Sequence, residues 1–301
     1  MIQDNRPLSP IIPHEFNNIK TMLSYRHAFH AGNHADVLKH YVFSLVLAYM
    51  NQKPKPYWVI DTHAGAGMYA LKSEFAQKNA EFENGIARFF MAKNLPGSLN
   101  DFVKLIKKFN ENNVLNFYPG SPKIAESFLR QDDKLRLFEL HPSDCKLLIE
   151  NFSHKGRQSK IEMQDGFAGI SACLPPPTKR AVVLIDPPYE LKDDYSRVVD
   201  CIKDSLKRFA TGTYLVWYPL LQRPEPAEMV RELMTLNTDF LQVEMMVQAP
   251  SLDGYGMHGS GMFIVNPPYT LPKILAETMP VLMQLLALDE TADFLIKHKI
   301  A

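Results

Sequence analysis

The sequence predicts an α/β fold: a mostly parallel sheet with helices on both faces, a C-terminal antiparallel hairpin and an inserted helical subdomain. Three observations predict it. Short apolar runs alternate with stretches of helical spacing along most of the 301 residues. Ala181-Val182-Val183-Leu184-Ile185 reads as a strand covered on both faces. Residues 69–117 break the alternation and carry only helical spacing.

Residues 1–21 are polar and punctuated by Pro7, Pro10 and Pro13, and are expected as an irregular arm. A helix should start after Asn33, a capping residue, with Asp36 at its positive end. Val37, Leu38, Tyr41, Val42, Leu45 and Val46 give it an apolar face, and it should end near Asn51. Tyr57-Trp58-Val59-Ile60 reads as a buried strand after the Lys53-Pro54-Lys55-Pro56 break. The 69–117 segment holds two amphipathic stretches, 85–90 and 102–109, separated by Pro96-Gly97-Ser98. Its Arg88, Lys93, Lys104, Lys107 and Lys108 read as a solvated helix face rather than a nucleic-acid contact. Strands follow at 135–140, 161–163, 181–185 and 213–217, and 241–247 with 261–265 form the late antiparallel pair. The main α/β domain is thus expected over 22–68 and 118–301, with 69–117 as the insertion.

Composition excludes more than it assigns. The 33 basic and 33 acidic side chains balance, so nucleic-acid binding would rest on local patches. Three cysteines, at 145, 173 and 201, form no CxxC pair, which fits a reducing cytoplasm and no disulfide framework. No signal peptide is visible, and the longest apolar candidate, Val42 to Met50, is a core helix rather than a span. His27, His30, His34 and His40 are dense, but their spacing fits no familiar zinc pattern and no metal is expected.

Four constellations carry chemistry. Asp61-Thr62-His63-Ala64-Gly65-Ala66-Gly67 follows a strand; its glycines let a ligand approach the backbone. Position 70 is Ala, so the turn matches a dinucleotide fingerprint only loosely. Glu139 ends the next strand, where an acidic residue can accept ribose hydroxyls. Asp165-Gly166 follows the third, where a carboxylate can accept an adenine amino group. Asp186-Pro187-Pro188-Tyr189 follows the fourth and is the most specific. An adenine amino nitrogen is a poor nucleophile because its lone pair is delocalised into the ring. Two acceptors, the Asp186 side chain and the Pro187 carbonyl, can take its hydrogens and turn the lone pair toward an electrophilic methyl. The prolines stiffen that loop, and Tyr189 is expected as a stacking platform for the base. Asn266-Pro267-Pro268-Tyr269 repeats the pattern. It follows an antiparallel strand, so it should lie at the sheet edge opposite the ligand crevice.

With these motifs in hand, residues 22–275 resemble the bacterial 23S ribosomal RNA adenine-N6 methyltransferase J family. The likeness runs through the opening 22–50, Asp61 to Gly67, Tyr118 to Pro122, Glu139 to Asp144, Asp165-Gly166 and Asp186 to Tyr189. Departures are the 1–21 arm, the 151–160 loop and Tyr269. The resemblance implies a Rossmann-like, S-adenosylmethionine-dependent methyltransferase acting on 23S ribosomal RNA, monomeric and cytoplasmic. Carried over by motif, His40, His63, Ser121, Glu139, Asp165, Gly166 and Asp186 would contact the cofactor, alongside Gly65 of the turn. Asp186 would accept the proton, and Tyr25 would touch the RNA. Two alternatives stand beside this: a DNA adenine-N6 methyltransferase, and a non-catalytic nucleic-acid-binding protein in the use of external DNA.

Overall fold

The computed structural model describes residues 27–300 apart from 154, 155 and 157; the expected 1–21 arm and Tyr25 lie outside the described residues. In chain order the elements are α1 (His34–Met50), β1 (Trp58–Asp61), β2 (Met68–Ala70), α2 (Glu74–Asn79), α3 (Ile86–Met91), α4 (Gly97–Lys107) and β3 (Phe117–Pro119). Then come α5 (Ser121–Phe128), β4 (Lys134–Phe138), α6 (Pro142–Phe152), β5 (Ser159–Glu162), α7 (Gly166–Cys173), β6 (Ala181–Ile185) and α8 (Asp193–Arg208). The chain closes with β7 (Thr213–Leu220), α9 (Glu225–Met234), β8 (Phe240–Met246), β9 (Gly259–Val265), α10 (Leu271–Leu286) and β10 (Asp293–Lys299).

Eight strands form one sheet in the order β10-β8-β9-β7-β6-β1-β4-β5. β1 pairs parallel with β4 and β6, β4 with β5, and β6 with β7. β9 runs antiparallel between β7 and β8, and β10 antiparallel along β8. The fold is therefore the expected Rossmann-like α/β sheet with antiparallel strands at its C-terminal side. β10 has no counterpart among the expected strands. Its residues alternate only weakly, with Phe294 and Ile296 half-buried between exposed Asp293, Lys297 and Lys299. Such a strand is set by the open edge of β8, and its lysines suit an edge that must not pair further.

All five residues of β6 are buried, and Ile60, Val183, Ile185 and Val216 pack on one face while Val59, Val182, Leu184 and Leu215 pack on the other. α1 lies against the second face and is buried almost throughout its first three turns. Asn33 caps it, the side chain accepting from the Asp36 amide at 2.9 Å. The same side chain donates to Glu81 at 2.9 Å, tying the helix start to the 69–117 segment.

That segment is bracketed by a small antiparallel pair, β2 with β3, too short to read from periodicity. Its helices do not carry a core of their own. Ile86, Phe89, Leu99, Phe102 and Ile106 share one apolar cluster with Tyr41, Val42 and Val46 of α1. Arg88, expected on a solvated face, instead donates to the carbonyls of Leu285 and Ala287 at 3.1 Å each, satisfying the end of α10. Lys107 lies 5.1 Å from the Phe90 ring. Among the described residues no helix is long and apolar enough to cross a membrane.

Asn33→Ala removes both the cap and the tie to Glu81. The expected loss is about 1–2 kcal/mol, the upper part of the range for cap removal, measured by urea denaturation.

Candidate active site

The carboxyl ends of β1, β4, β5 and β6 open on one cavity of about 410 Å³, within the range of small-molecule sites. All the described candidates line it: His40, His63, Gly65, Ser121, Glu139, Asp165, Gly166, Asp186, Pro187, Pro188 and Tyr189. Their separation in sequence follows from the parallel sheet, which brings successive strand ends to one edge.

The turn after β1 and the end of β4 are locked together. Glu139 accepts from the Gly65 amide and from the His141 amide, both at 2.7 Å. Gly65 has φ +61°, and a Cβ there would stand 2.2 Å from the Tyr69 hydroxyl. Burial pushes the Glu139 carboxyl up to about 7 despite these two donors. Burial likewise raises Asp61 to about 6. One oxygen of Asp61, Oδ2, is buried with no hydrogen-bond partner in the protein.

At the end of β5, Asp165 caps α7, accepting from the Phe167 amide at 2.9 Å, and its other oxygen pairs with Arg197. Gly166 packs against β1's continuation, where a Cβ would fall 1.9 Å from the Thr62 carbonyl oxygen. His63 lies edge-on to Phe167 at 5.0 Å, and burial holds it down at about 4, so it is neutral near pH 7. His40 is buried and neutral for the same reason, at about 3. Its Nδ1 is 2.8 Å from the Tyr118 hydroxyl.

The fourth strand end holds the largest surprise. Asp186 Oδ2 lies 2.6 Å from Lys39 Nζ, and that ammonium is also 2.9 Å from Asp36 Oδ1. Asp36 in turn accepts from the Gly32 amide at 2.9 Å and meets His27 Nε2 at 2.8 Å. Burial works against the charge on Lys39, but Asp186 and Asp36 raise it well above the ordinary lysine range. Burial also opposes ionisation of Asp36, yet His27 and Lys39 hold it well below the carboxylate range. Three of the four N-terminal histidines are thus spread over separate partners, His27 on Asp36, His30 on Glu81 at 2.9 Å and His40 on Tyr118, while the buried Nδ1 of His34 makes no hydrogen bond.

Tyr189 differs from the open platform expected for it. It has φ +52° and is only 4% exposed. Its hydroxyl donates to the Trp217 carbonyl at 2.6 Å and its ring packs on Tyr195 at 4.5 Å. The aromatic that flanks the cavity with it is Trp217, whose buried Nε1 has no partner in the protein.

The duplicate lies where the sheet direction puts it. Val265 pairs with Tyr214 at the amino end of β7, so Asn266 sits at the opposite edge. There the Asn266 amide donates to the carbonyls of Ala210 and Gly212 at 2.8 Å each, closing the turn between α8 and β7. Those bonds occupy its donors in a structural role.

Comparison with known proteins fits this geometry. A family model described as "Ribosomal RNA large subunit methyltransferase D, RlmJ" matches residues 54–296. A protein named Ribosomal RNA large subunit methyltransferase J from Escherichia coli (strain K12) is 47% identical over 260 residues, 86% of this chain and 92% of that one. The chain belongs to this family. The Haemophilus influenzae protein of the same name is 43% identical, covering 92% of this chain and 98% of its own length. The crystal structure of a Legionella pneumophila protein described under DUF519 superposes with a TM-score of 0.82 at 34% identity, covering 89% of this chain and 98% of that one.

Lys39 and Asp36 were absent from the sequence-derived site, and a signal for them existed. A helix apolar on nearly every side is buried, and charges within it must be paired. Asp36 and Lys39 stand one turn apart in such a helix, but the second partner of Lys39, Asp186, is 147 residues away.

Lys39→Ala leaves Asp36 and Asp186 facing each other without the cation. We expect a loss of about 3 kcal/mol in chemical denaturation, in the range for breaking a buried pair. Lys39→Arg should recover part of it.

Proposed function

We propose that this member of the family transfers a methyl group from S-adenosylmethionine to N6 of an adenine in 23S ribosomal RNA. The observation that carries the reading is Asp186-Pro187-Pro188-Tyr189 at the wall of the same cavity that Glu139 and Asp165 line. The names of the curated relatives support a ribosomal RNA methyltransferase. The choice of adenine N6 rests on the loop's chemistry.

The residues fit such a cofactor. Glu139 offers acceptors for ribose hydroxyls at the second strand end, and Asp165 offers one for an adenine amino group at the third. Asp61 Oδ2 is a buried acceptor without a protein partner. When bound, the cofactor supplies an electrophilic methyl on a positively charged sulfur. The protein's own contribution is to hold acceptors. Asp186 and the Pro187 carbonyl would accept the two amino hydrogens and hold the nitrogen lone pair toward the methyl. Lys39 fixes which Asp186 oxygen is spoken for: Oδ2 faces the ammonium, leaving Oδ1 for the amino group. No strong base is needed before transfer, because the nitrogen becomes acidic as it gains the methyl. Asp186 or solvent then takes the proton. On this reading the enzyme works in the cytoplasm as a monomer, with Tyr25 on the RNA.

Asp186→Ala should abolish tritium-methyl transfer to 23S ribosomal RNA from a strain lacking the gene, with cofactor affinity reduced only in part. Asn266→Ala should keep the activity. Mass mapping of the RNA would give N6-methyladenine; preference for duplex DNA in the same assay would overturn the RNA assignment, and no cofactor binding would favour the non-catalytic alternative.

Glu139 makes cofactor binding depend on pH. The ribose hydroxyls favour the ionised carboxylate, and burial raises the free site to about 7. Below that value a proton must leave on binding, so affinity falls as pH drops, by up to about tenfold per unit. Calorimetry across neutral pH checks this, and Glu139→Gln should bind more weakly with a flat profile.

A further inference from the structure

The catalytic-loop geometry depends on a residue outside the cavity. Tyr189 carries a Cβ yet lies in the left-handed region at φ +52°, a conformation that persists only where its surroundings enforce it. Arg223, in the connection between β7 and α9, supplies the enforcement. One of its nitrogens, Nη2, donates to the Tyr189 carbonyl at 3.1 Å and to the Tyr195 hydroxyl at 2.8 Å. Its guanidinium lies 5.2 Å from the Tyr195 ring, which itself packs on Tyr189.

The opposite charge stands two residues on. Glu225 Oε2 is 3.9 Å from Arg223 Nε, and both atoms are buried with no hydrogen bond. Glu225 Oε1 reaches forward to Lys192 Nζ at 2.7 Å. Lys192 ends the loop that Asp186 begins, so one short connection grips that loop at Tyr189 by a cation and at Lys192 by an anion. Lys192 itself is mostly exposed, so its pair with Glu225 adds little. The Arg223 contact is the firm one: the two hydrogens of its Nη2 serve a carbonyl and a hydroxyl together.

We propose that Arg223 is a positioning residue for methyl transfer: it holds the 186–192 loop in its left-handed bend, so that the Asp186 side chain and Pro187 carbonyl keep the spacing an amino group requires. Arg223 is not among the residues that line the cavity. Its catalytic consequence rests on the methyltransferase reading above; its hold on the loop does not. The requirement is strict because a misplacement of about 1 Å at a reacting group can cost about 100-fold in rate.

The test uses the full chain, with Arg223→Ala, Arg223→Lys and Tyr195→Phe. Arg223→Ala should lower kcat on 23S ribosomal RNA by about 100-fold, while KM for the RNA and Kd for S-adenosylmethionine move less than about twofold. Free guanidinium should restore part of the lost kcat. Tyr195→Phe keeps the bond to the Tyr189 carbonyl and should lose far less. Amide hydrogen exchange across 187–192 should quicken in Arg223→Ala and stay near wild type elsewhere in the cavity wall. If Arg223→Ala does not fold, Arg223→Lys decides, since the lysine nitrogen ends one bond short of the Nη2 position that reaches both acceptors: it too must quicken exchange and lower kcat. Unchanged exchange across 187–192 in the folded variant, or cofactor affinity falling in step with kcat, would overturn the proposal. Wild-type protein that methylates no adenine would overturn the function instead, and the exchange result would still judge the clasp.

Discussion

A single buried ammonium joins the two halves of this molecule. Lys39 sits on the first helix and bridges Asp36, its neighbour one turn away, to Asp186 at the end of the central strand β6. Two carboxylates drawn into the interior would repel each other and lose hydration; the cation between them removes the repulsion and replaces part of the lost solvation. Such a pair contributes little net stability compared with an apolar packing of the same volume. What it does is fix geometry. Asp186 can neither swing away nor discharge without leaving Lys39 short of a partner, so the carboxylate proposed to be catalytic is held in one orientation before any substrate arrives.

The N-terminal helix has to be where it is for that bridge to form, and most of the remaining structure serves to hold it there. Asn33 caps it and reaches Glu81; the 69–117 helices pack on Tyr41, Val42 and Val46; the His27 ring closes the far side of Asp36. The inserted segment therefore supports the site from behind, through apolar contact with the helix that carries the lysine. Its Arg88 is spent on helix-end carbonyls rather than displayed to solvent. On the other side of the sheet, the buried pair of Tyr189 and Tyr195 braces the same loop. The loop is thus stiffened by its prolines, anchored by Lys39 at one end and bent by packing at the other.

The two Pro-Pro-Tyr sequences show how direction in a sheet assigns meaning to a motif. At 186–189 the loop leaves the carboxyl end of a parallel strand and faces the crevice. At 266–269 it leaves an antiparallel strand and faces the other way, where Asn266 closes a turn by satisfying two carbonyls. The residues are nearly the same, and the chemistry open to them is not.

The sequence alone determined the parallel strands, their polarity and the motif residues that line the cavity. β1 and β6 read as apolar runs and β4 and β5 as mixed ones, and Asp61 to Gly67, Glu139, Asp165-Gly166 and Asp186 to Tyr189 each follow one of them, so their meeting at a single edge was legible from the alternation of strands and helices. Resemblance to the family then marked His40 and Ser121, which spacing could not. Tertiary structure alone decided the rest. β10 is held by an open strand edge rather than by its own pattern. Tyr189 turned inward because a left-handed bend aims its ring at Tyr195, a torsion that residue identity does not encode. Lys39 became a partner of Asp186 because a helix and a strand 147 residues apart were packed together, and an ion pair between distant segments has no period to read.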